Sequence, residues 1–372
     1  MKRISSSTPL LICAKSAARY AHDVTGEAEG HRGPRPTLST VAEVAGTSVP
    51  TVSKVLRGGT DVSPATRMRV LDAVRAVGYS RRASAALAAP QQTAHRPGMV
   101  DLVVNHVEGS WANRVLTGVE RVASEADVDV VITLARDGSD WVSRLLRRPS
   151  SGAVVVLVDP TSSQFQALAA AHIPVVLVDP MTKPAVEVPS VGVANWDGGR
   201  LAAEHLVSLG HRRMGLIAGG RTHVYSRARV DGFRSAVESA EVADAAIHVG
   251  YANWDRGLAE RETRSMLEHH QDITAVFACS DIMALGVYDA LASAGRSIPG
   301  DVSVVGFDDV PEAEWARPTL TTIRQPSADM GGAAMRMLLG LVAAGPGAAG
   351  AVPRVEMSTE LVVRDSTAAP AA

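Results

Sequence analysis

The stretch Ser39–Leu56 (STVAEVAGTSVPTVSKVL) leaves the backbone few paths. Val41, Ala42 and Ala45 give a short helix one apolar face. Gly46 supplies the left-handed or tight geometry that lets the chain reverse. Ser48 is a good N-cap, with Val49 and Pro50 in the first turn of the next helix, where a missing N–H costs nothing. Val52, Val55 and Leu56 then face inward, and Thr51, Ser53 and Lys54 face out. Two helices at this spacing form a helix-turn-helix, whose second helix can enter the major groove of DNA. The same pattern also fits an ordinary helical hairpin.

Residues 57–82 narrow the choice. After an Arg57-Gly58-Gly59 loop, Ser63 caps a third helix with Pro64 at its first position, and an amphipathic run continues to Val77 before Gly78 stops it. Val70, Leu71, Val74 and Val77 form its apolar stripe. The unit from Thr37 to about Arg82 resembles the DNA-binding headpiece of the lactose-repressor (LacI/GalR) family of bacterial regulators. That family carries a V-A-x-x-A-G-V-S-x-x-T-V-S-[RK]-V-L run, followed by V-S-x-x-T-R-x-x-V-x-x-A-x-x-x-G-Y, and this chain keeps nearly all of both in order and spacing. The resemblance continues to about Asp365 through Leu206–Ile217 (LVSLGHRRMGLI), Ser226–Phe233 (SRARVDGF), Ala278–Gly286 (ACSDIMALG), Ile298–Asp309 (IPGDVSVVGFDD) and Pro318–Pro326 (PTLTTIRQP). The segment opening at Asp101 is most similar to actinobacterial members tied to plant-polysaccharide sugars.

Charge is distributed to match. The formal net charge is only −2, yet residues 1–90 hold 13 Lys and Arg against 6 Asp and Glu, so the rest of the chain is acidic. A basic front on an acidic body suits a DNA-binding head on a body that avoids DNA. Two cysteines, Cys13 and Cys279, argue against a disulfide framework and a cysteine-rich metal site. No apolar run approaches the ~18 residues of a membrane span, and Leu10-Leu11-Ile12 is too short for a signal-peptide core. The expected location is cytoplasmic. Residues 1–36 lack periodicity and are expected to be a disordered leader, or an over-long start assignment.

From Gly98 onward, β-rich apolar runs alternate with helical stretches. Val155–Pro160 and Val175–Pro180 both read VVLVDP, with a helical segment Thr161–His172 between them, so the two strands are expected to be parallel and buried. Further strands are expected at Asp101–Asn105, Val128–Ala135, Gly192–Asn195, Met214–Ala218, Ile247–Tyr251, Ala275–Ser280 and Val302–Asp308. Helices fall between them, at Asn113–Ala126, Gly198–Leu209, Arg227–Ser239, Trp254–His269 and Ile282–Ala294. The expected fold is thus an all-α helix-turn-helix headpiece plus an α/β body. The resemblance implies that this body is two doubly wound parallel-sheet subdomains of periplasmic-binding-protein type. They are expected at 98–210 plus 324–350 and at 211–323 plus 351–365, after a headpiece at 37–82 and a hinge at 83–97, with a tail at 366–372.

The resemblance also implies roles for residues. DNA contacts fall on Thr40, Ser48, Val49, Pro50, Thr51, Ser53, Lys54, Arg57 and Arg81. Val49 and Pro50 lack hydrogen-bond donors, so they are suited to apolar or shape contact with bases, or in the case of Val49 to helix packing alone. Lys54, Arg57 and Arg81 carry salt-dependent phosphate attraction. Leu87, the only large apolar residue of the hinge segment Arg81–Gln92, is placed to wedge into the minor groove. It stands one position early, and the family's Pro-Asn after Gly-Tyr is absent. Effector contacts fall on Asp197, Arg229, Trp254, Ser280 and Asp308, with Trp111, Asn195 and Trp196 added from nearby loops. Asp308 with Asp309 suits hydroxyl binding, and Asn253 is expected to cap the helix that Trp254 begins.

Gly345–Gly350 matches G-x-G-x-x-G but follows a helix and carries Pro346, so it fails as a dinucleotide site. With no P-loop and no G-x-S-x-G elbow, neither catalysis nor a cofactor is expected. The expected partners are a pseudo-palindromic double-stranded operator, a small sugar effector and a second copy of the chain.

Overall fold

The computed structural model describes residues 36–56, 62–77, 79, 98–136, 140–241, 243–345 and 352–371. The N-terminal unit is three helices, α1 (Leu38–Val44), α2 (Val49–Leu56) and α3 (Pro64–Val77). α1 starts in a capping box between Thr37 and Thr40. It stops where Gly46 takes φ +58° and the Thr47 N–H donates to Ala42 O at 3.0 Å. Ser48 caps α2 by accepting from the Thr51 N–H at 3.3 Å, and Ser63 caps α3 through the Thr66 N–H in the same way. Val41, Ala42, Val52, Val55, Leu56, Val70, Leu71, Val74 and Tyr79 fill one core. The third helix therefore closes over the first two, which a simple hairpin would leave open on one side.

The body is built on two six-stranded sheets. The first runs β2 (Asp129–Leu134), β1 (Met99–Val104), β3 (Ser150–Val156), β4 (Val175–Val178), β5 (Ser190–Val193), β11 (Arg354–Met357). The second repeats that order with β7 (Ala246–Tyr251), β6 (Arg213–Ala218), β8 (Ala275–Ala278), β9 (Ser303–Asp308), β10 (Thr321–Arg324) and β12 (Glu360–Val362). All pairs are parallel except β10 with β12. The two VVLVDP strands pair in parallel, Val155 with Leu177 and Val156 with Val178, and both are buried. Helices α4 (Ser110–Glu125), α5 (Trp141–Arg147), α6 (Ser162–Ala170) and α12 (Ser327–Ala344) pack on the first sheet. Helices α7 (Asn195–Ser208), α8 (Val224–Ser239), α9 (Arg256–His269), α10 (Asp281–Ser293) and α11 (Pro311–Trp315) belong with the second.

The chain crosses between lobes earlier than the sequence suggests. Asn195 ends no strand; it opens α7, whose Ala202, Ala203 and Leu206 sit in the second lobe's core. The cause is a close approach of α7 to α8. A Cβ on Gly199 would lie 2.0 Å from Arg229 O, and one on Gly232 would lie 1.9 Å from Trp196 O. Only glycine lets the two backbones meet there. Residues 354–357 likewise join the first sheet beside β5 rather than the second, and the return crossing falls just after them.

Candidate functional site

The outer face of α2 presents the residues expected to meet DNA. Val49, Pro50 and Lys54 are exposed and Thr51 and Ser53 half-buried, while Val52, Val55 and Leu56 hold the helix from behind. Two hydroxyls are already engaged. Thr40 donates to or accepts from Thr37 Oγ1 in the α1 cap, and Ser48 shares a 2.8 Å bond with Thr51 Oγ1. Both still retain oxygen lone pairs or a proton for a phosphate or base. Arg57, Arg81 and Leu87 lie outside the described residues.

In the body, the C-terminal edges of both sheets face a shared cleft, the location the doubly wound architecture dictates. It encloses a cavity of about 520 Å³. Asn105 follows β1, Leu157 follows β3 and Asp179 follows β4 on one lobe; Ser280, Asp308 and Gln325 come from strand ends on the other. Backbone strain concentrates here. Leu157 (φ +50°), Asp179 (+44°), Asn253 (+45°), Trp254 (+68°) and Asp308 (+118°) all adopt positive φ and all line the cavity. Non-glycine residues in that region cost energy and cluster at ligand sites. A larger cavity, about 710 Å³, opens between α6 and the end of α12. Its walls are mostly apolar (Phe165, Leu168, Ile173, Val342), and no set of buried polar groups among the described residues converges on it.

Arg229 is the centre of the cleft. It is almost wholly buried on α8, with its guanidinium 3.6 Å above the Phe307 ring. Its Nε donates to Asn195 Oδ1 at 2.7 Å, its Nη1 donates to Cys279 O, and Nη1 lies 3.5 Å from Asp308 Oδ1. Nη2 takes part in none of these bonds. Asn195 in turn donates to Val193 O, so it orients the arginine and does not line the cavity. Gln325 Nε2 donates to the same Asp308 oxygen, and Gln325 Oε1 is buried without a partner among the described residues. Burial pushes the Asp308 carboxyl up to about 7, against the pull of Arg229 and Gln325. Burial likewise raises Asp179 to about 6, again opposed by Arg229. Burial raises the Cys279 thiol to about 12, which leaves it unreactive at neutral pH.

Aromatic rings make the walls. Trp111 stands on α4 of the first lobe. On the second, Trp254 packs against Tyr225 with ring centres 5.1 Å apart and is held by its Nε1–H donating to His223 Nδ1 at 2.8 Å. Burial lowers the His223 pKa and so favours the neutral ring, and the Trp254 bond requires the tautomer in which Nδ1 is the acceptor. Ser280 caps α10 through the Met283 N–H at 3.2 Å, which leaves its own proton to donate into the cleft.

Of the eight residues expected to contact an effector, Trp111, Arg229, Trp254, Ser280 and Asp308 line the cavity together. Asp197 does not. It is exposed on α7 and pairs with Arg200 at 3.3 Å, because two residues along a helix turn a side chain to the opposite face from Asn195. Trp196 is also on the outside, 43% exposed. Asp309 faces away from the cavity, bound by Arg324 at 2.6 Å and Arg364 at 2.7 Å. The cap of α9 is Asp255, which accepts from the Leu258 N–H at 2.7 Å, and not Asn253. Sequence reasoning missed Asp179, His223, Tyr225 and Gln325. Asp179 had a visible signal, as the aspartate closing the second VVLVDP.

A helix-turn-helix head joined to a two-lobed, periplasmic-binding-protein-like body defines a ligand-responsive DNA-binding protein. A family model of bacterial regulatory proteins, lacI family, matches residues 37–82, and one of periplasmic binding protein-like domains matches residues 203–367. The regulator CelR of Thermobifida fusca is 34% identical over 89% of this chain and 98% of its own. MalR of Streptomyces coelicolor is 33% identical over 89% and 96%, and the ribose operon repressor of Halalkalibacterium halodurans 31% over 89% and 97%. Among solved structures, a CelR–cellobiose complex superposes with a TM-score of 0.65 at 32% identity, covering 89% of this chain and all of the other. The lac repressor dimer bound to operator and an anti-inducer gives 0.65 at 26% identity, covering 90% and 100%. The chain belongs to the lacI family of bacterial regulatory proteins and is a DNA-binding transcriptional regulator. Among the described residues, no helix is long and apolar enough to cross a membrane, and no cluster of three or more His, Cys, Asp or Glu could hold a metal.

Proposed function

We propose that this regulator is a cytoplasmic homodimeric repressor of sugar-utilisation genes, released from a pseudo-palindromic operator when an uncharged saccharide closes the cleft between its lobes. The observation that carries the reading is the charge state of the cavity. Its buried cation, Arg229, is already committed to Asn195, Cys279 O and Asp308, while Asp179 and Asp308 supply acceptors. A phosphate or carboxylate would meet two buried carboxyl groups and, among the described residues, no uncommitted buried cation, a costly arrangement. Sugar hydroxyls, which both donate and accept, suit such a set, and the aromatic walls suit the C–H faces of the rings. The cellobiose complex of a relative at 32% identity supports the same class of ligand.

Binding energy alone does the work in this reading: the saccharide shifts the lobes by its differential affinity for the closed state, and no bond is broken. Titration calorimetry of the full chain with neutral mono- and disaccharides and with sugar phosphates tests it. Saturable heat from a neutral saccharide that is recovered intact is expected, with Arg229→Ala lowering affinity by roughly 100-fold or more, as for loss of a buried charged hydrogen-bonding group. Binding confined to sugar phosphates, or hydrolysis of the saccharide, would overturn it.

A further inference from the structure

The two VVLVDP segments end in aspartates with different surroundings. Asp179, in the second, lines the cavity, whereas Asp159, its counterpart in the first, does not. Asp159 Oδ1 instead accepts from two successive backbone N–H groups just beyond the second segment, Met181 at 3.0 Å and Thr182 at 3.2 Å. The Met181–Thr182 peptide is trans, so its N–H and its C=O lie on opposite sides. With the Thr182 N–H aimed at Asp159, the Met181 carbonyl is turned away from it. That carbonyl reaches the second lobe and accepts from the Val224 N–H at 2.9 Å.

Val224 is the first residue of α8, the helix that brings Tyr225 and Arg229 to the cavity. The opening N–H groups of a helix have no acceptor within it, and an N-cap side chain usually serves one of them. Here the N-cap is His223, whose side chain makes no capping bond, and its Nδ1 is taken by Trp254. The acceptor for Val224 comes from the other lobe instead. A carboxylate bonded to a peptide N–H polarises that peptide and strengthens its carbonyl as an acceptor. The helix dipole also favours negative charge at this end of α8. We infer that Asp159 is a positioning residue, which aims the Met181 carbonyl at the start of α8 and so latches the two lobes together across the cavity. The bond is lost when the lobes swing apart, so it lowers the free energy of the closed arrangement relative to the open one. The latch stands on this geometry alone; its effect on saccharide affinity rests on the cleft being a saccharide site.

Hydrogen exchange of the full chain without ligand, read residue by residue by mass spectrometry, tests the latch. The Val224 amide is expected to exchange roughly 3- to 10-fold more slowly in the wild type than in Asp159→Ala, with the Gly232 amide further along α8 unchanged. Asp159→Asn keeps an oxygen that accepts and is expected to recover most of the protection. Val224→Pro deletes the donor alone. Proline suits the first position of a helix. His223 already has the extended backbone that a following proline demands (φ −73°, ψ 124°), and Val224 is 40% exposed. In calorimetry with glucose, xylose, cellobiose and maltose, Asp159→Ala and Val224→Pro are each expected to weaken the tightest binder roughly 3- to 10-fold. The double variant should lose no more than either single one, because both act through the same bond, and operator affinity without sugar should not change. Additive losses, or a Val224 amide that exchanges equally fast in the wild type and Asp159→Ala, overturn the latch and leave the saccharide reading standing. If none of the sugars binds, the saccharide reading falls and hydrogen exchange alone decides the latch.

Discussion

Arg229 and Asp179 show what a single side chain contributes to this cleft. Arg229 is held on three sides before any ligand arrives, so its remaining N–H groups are aimed at no conformational cost when binding occurs. Asp179 is the opposite case, a carboxyl whose burial disfavours its own charge and lifts its pKa to about 6. The consequence for stability has a definite sign. Between the unfolded value of 3.8 and about 6 the folded state binds more protons than the unfolded one, so stability falls as pH rises through that window. Asp179→Asn removes the titration. In the absence of ligand, its thermal unfolding is expected to match the wild type near pH 4 and to exceed it above pH 7 by on the order of 2 kcal/mol. Melting curves across that range decide it, and a constant difference at all pH values would count against the burial of this charge. Individual site residues were only partly readable from sequence. Arg229 and Asp308 stood in motifs at predicted strand or helix ends, but the orientation of Asp197 depended on α7 starting at Asn195, which hydrophobic patterning did not reveal. Gln325 stood in the Pro318–Pro326 segment with no chemistry to single it out; it lines the cavity because β10 of the second lobe ends just before it.

Among elements, the pair α7 and α8 does most to place the site. Their backbones touch at Gly199 and Gly232, and that contact fixes Asn195 beneath the Arg229 guanidinium. Gly232→Ala would push a methyl group to 1.9 Å from Trp196 O, so the helices must separate. A cost of about 1–3 kcal/mol or more is expected from such overpacking, with a matching fall in unfolding temperature and weaker saccharide binding. Operator binding at low temperature should change little, since the head has its own core. Unaltered stability would mean that the helices are not packed this closely. Elements of this kind are the part of the fold that sequence conveys best. The two VVLVDP strands, the three head helices with their Ser caps, and the alternation of strand and helix follow from apolar periodicity and capping chemistry. The short β11 and β12, and the crossing at Asn195, do not, because a three- or four-residue strand leaves too little pattern to assign it to one of two adjacent sheets.

At the scale of the molecule, two lobes of identical strand order face each other across three chain crossings, near residues 194, 325 and 358. Few segments connect the lobes, and the residues between them include the Ser110–Glu312 and Met181–Val224 contacts and the strained strand ends. Such a body can occupy an open or a closed state, and a ligand that touches both lobes favours the closed one. The basic headpiece is carried on an acidic body, so DNA affinity belongs to the head and its control to the cleft. The measurement that tests this most directly is fluorescence anisotropy of the full chain on DNA from its own upstream region, titrated with the saccharide that binds the cleft most tightly. Tight, salt-sensitive binding that the saccharide releases, and that Arg229→Ala renders unresponsive without weakening operator affinity, is the expected result. Operator binding that persists at saturating saccharide, or that Arg229→Ala and the saccharide reduce independently of one another, would contradict control of the head by the cleft.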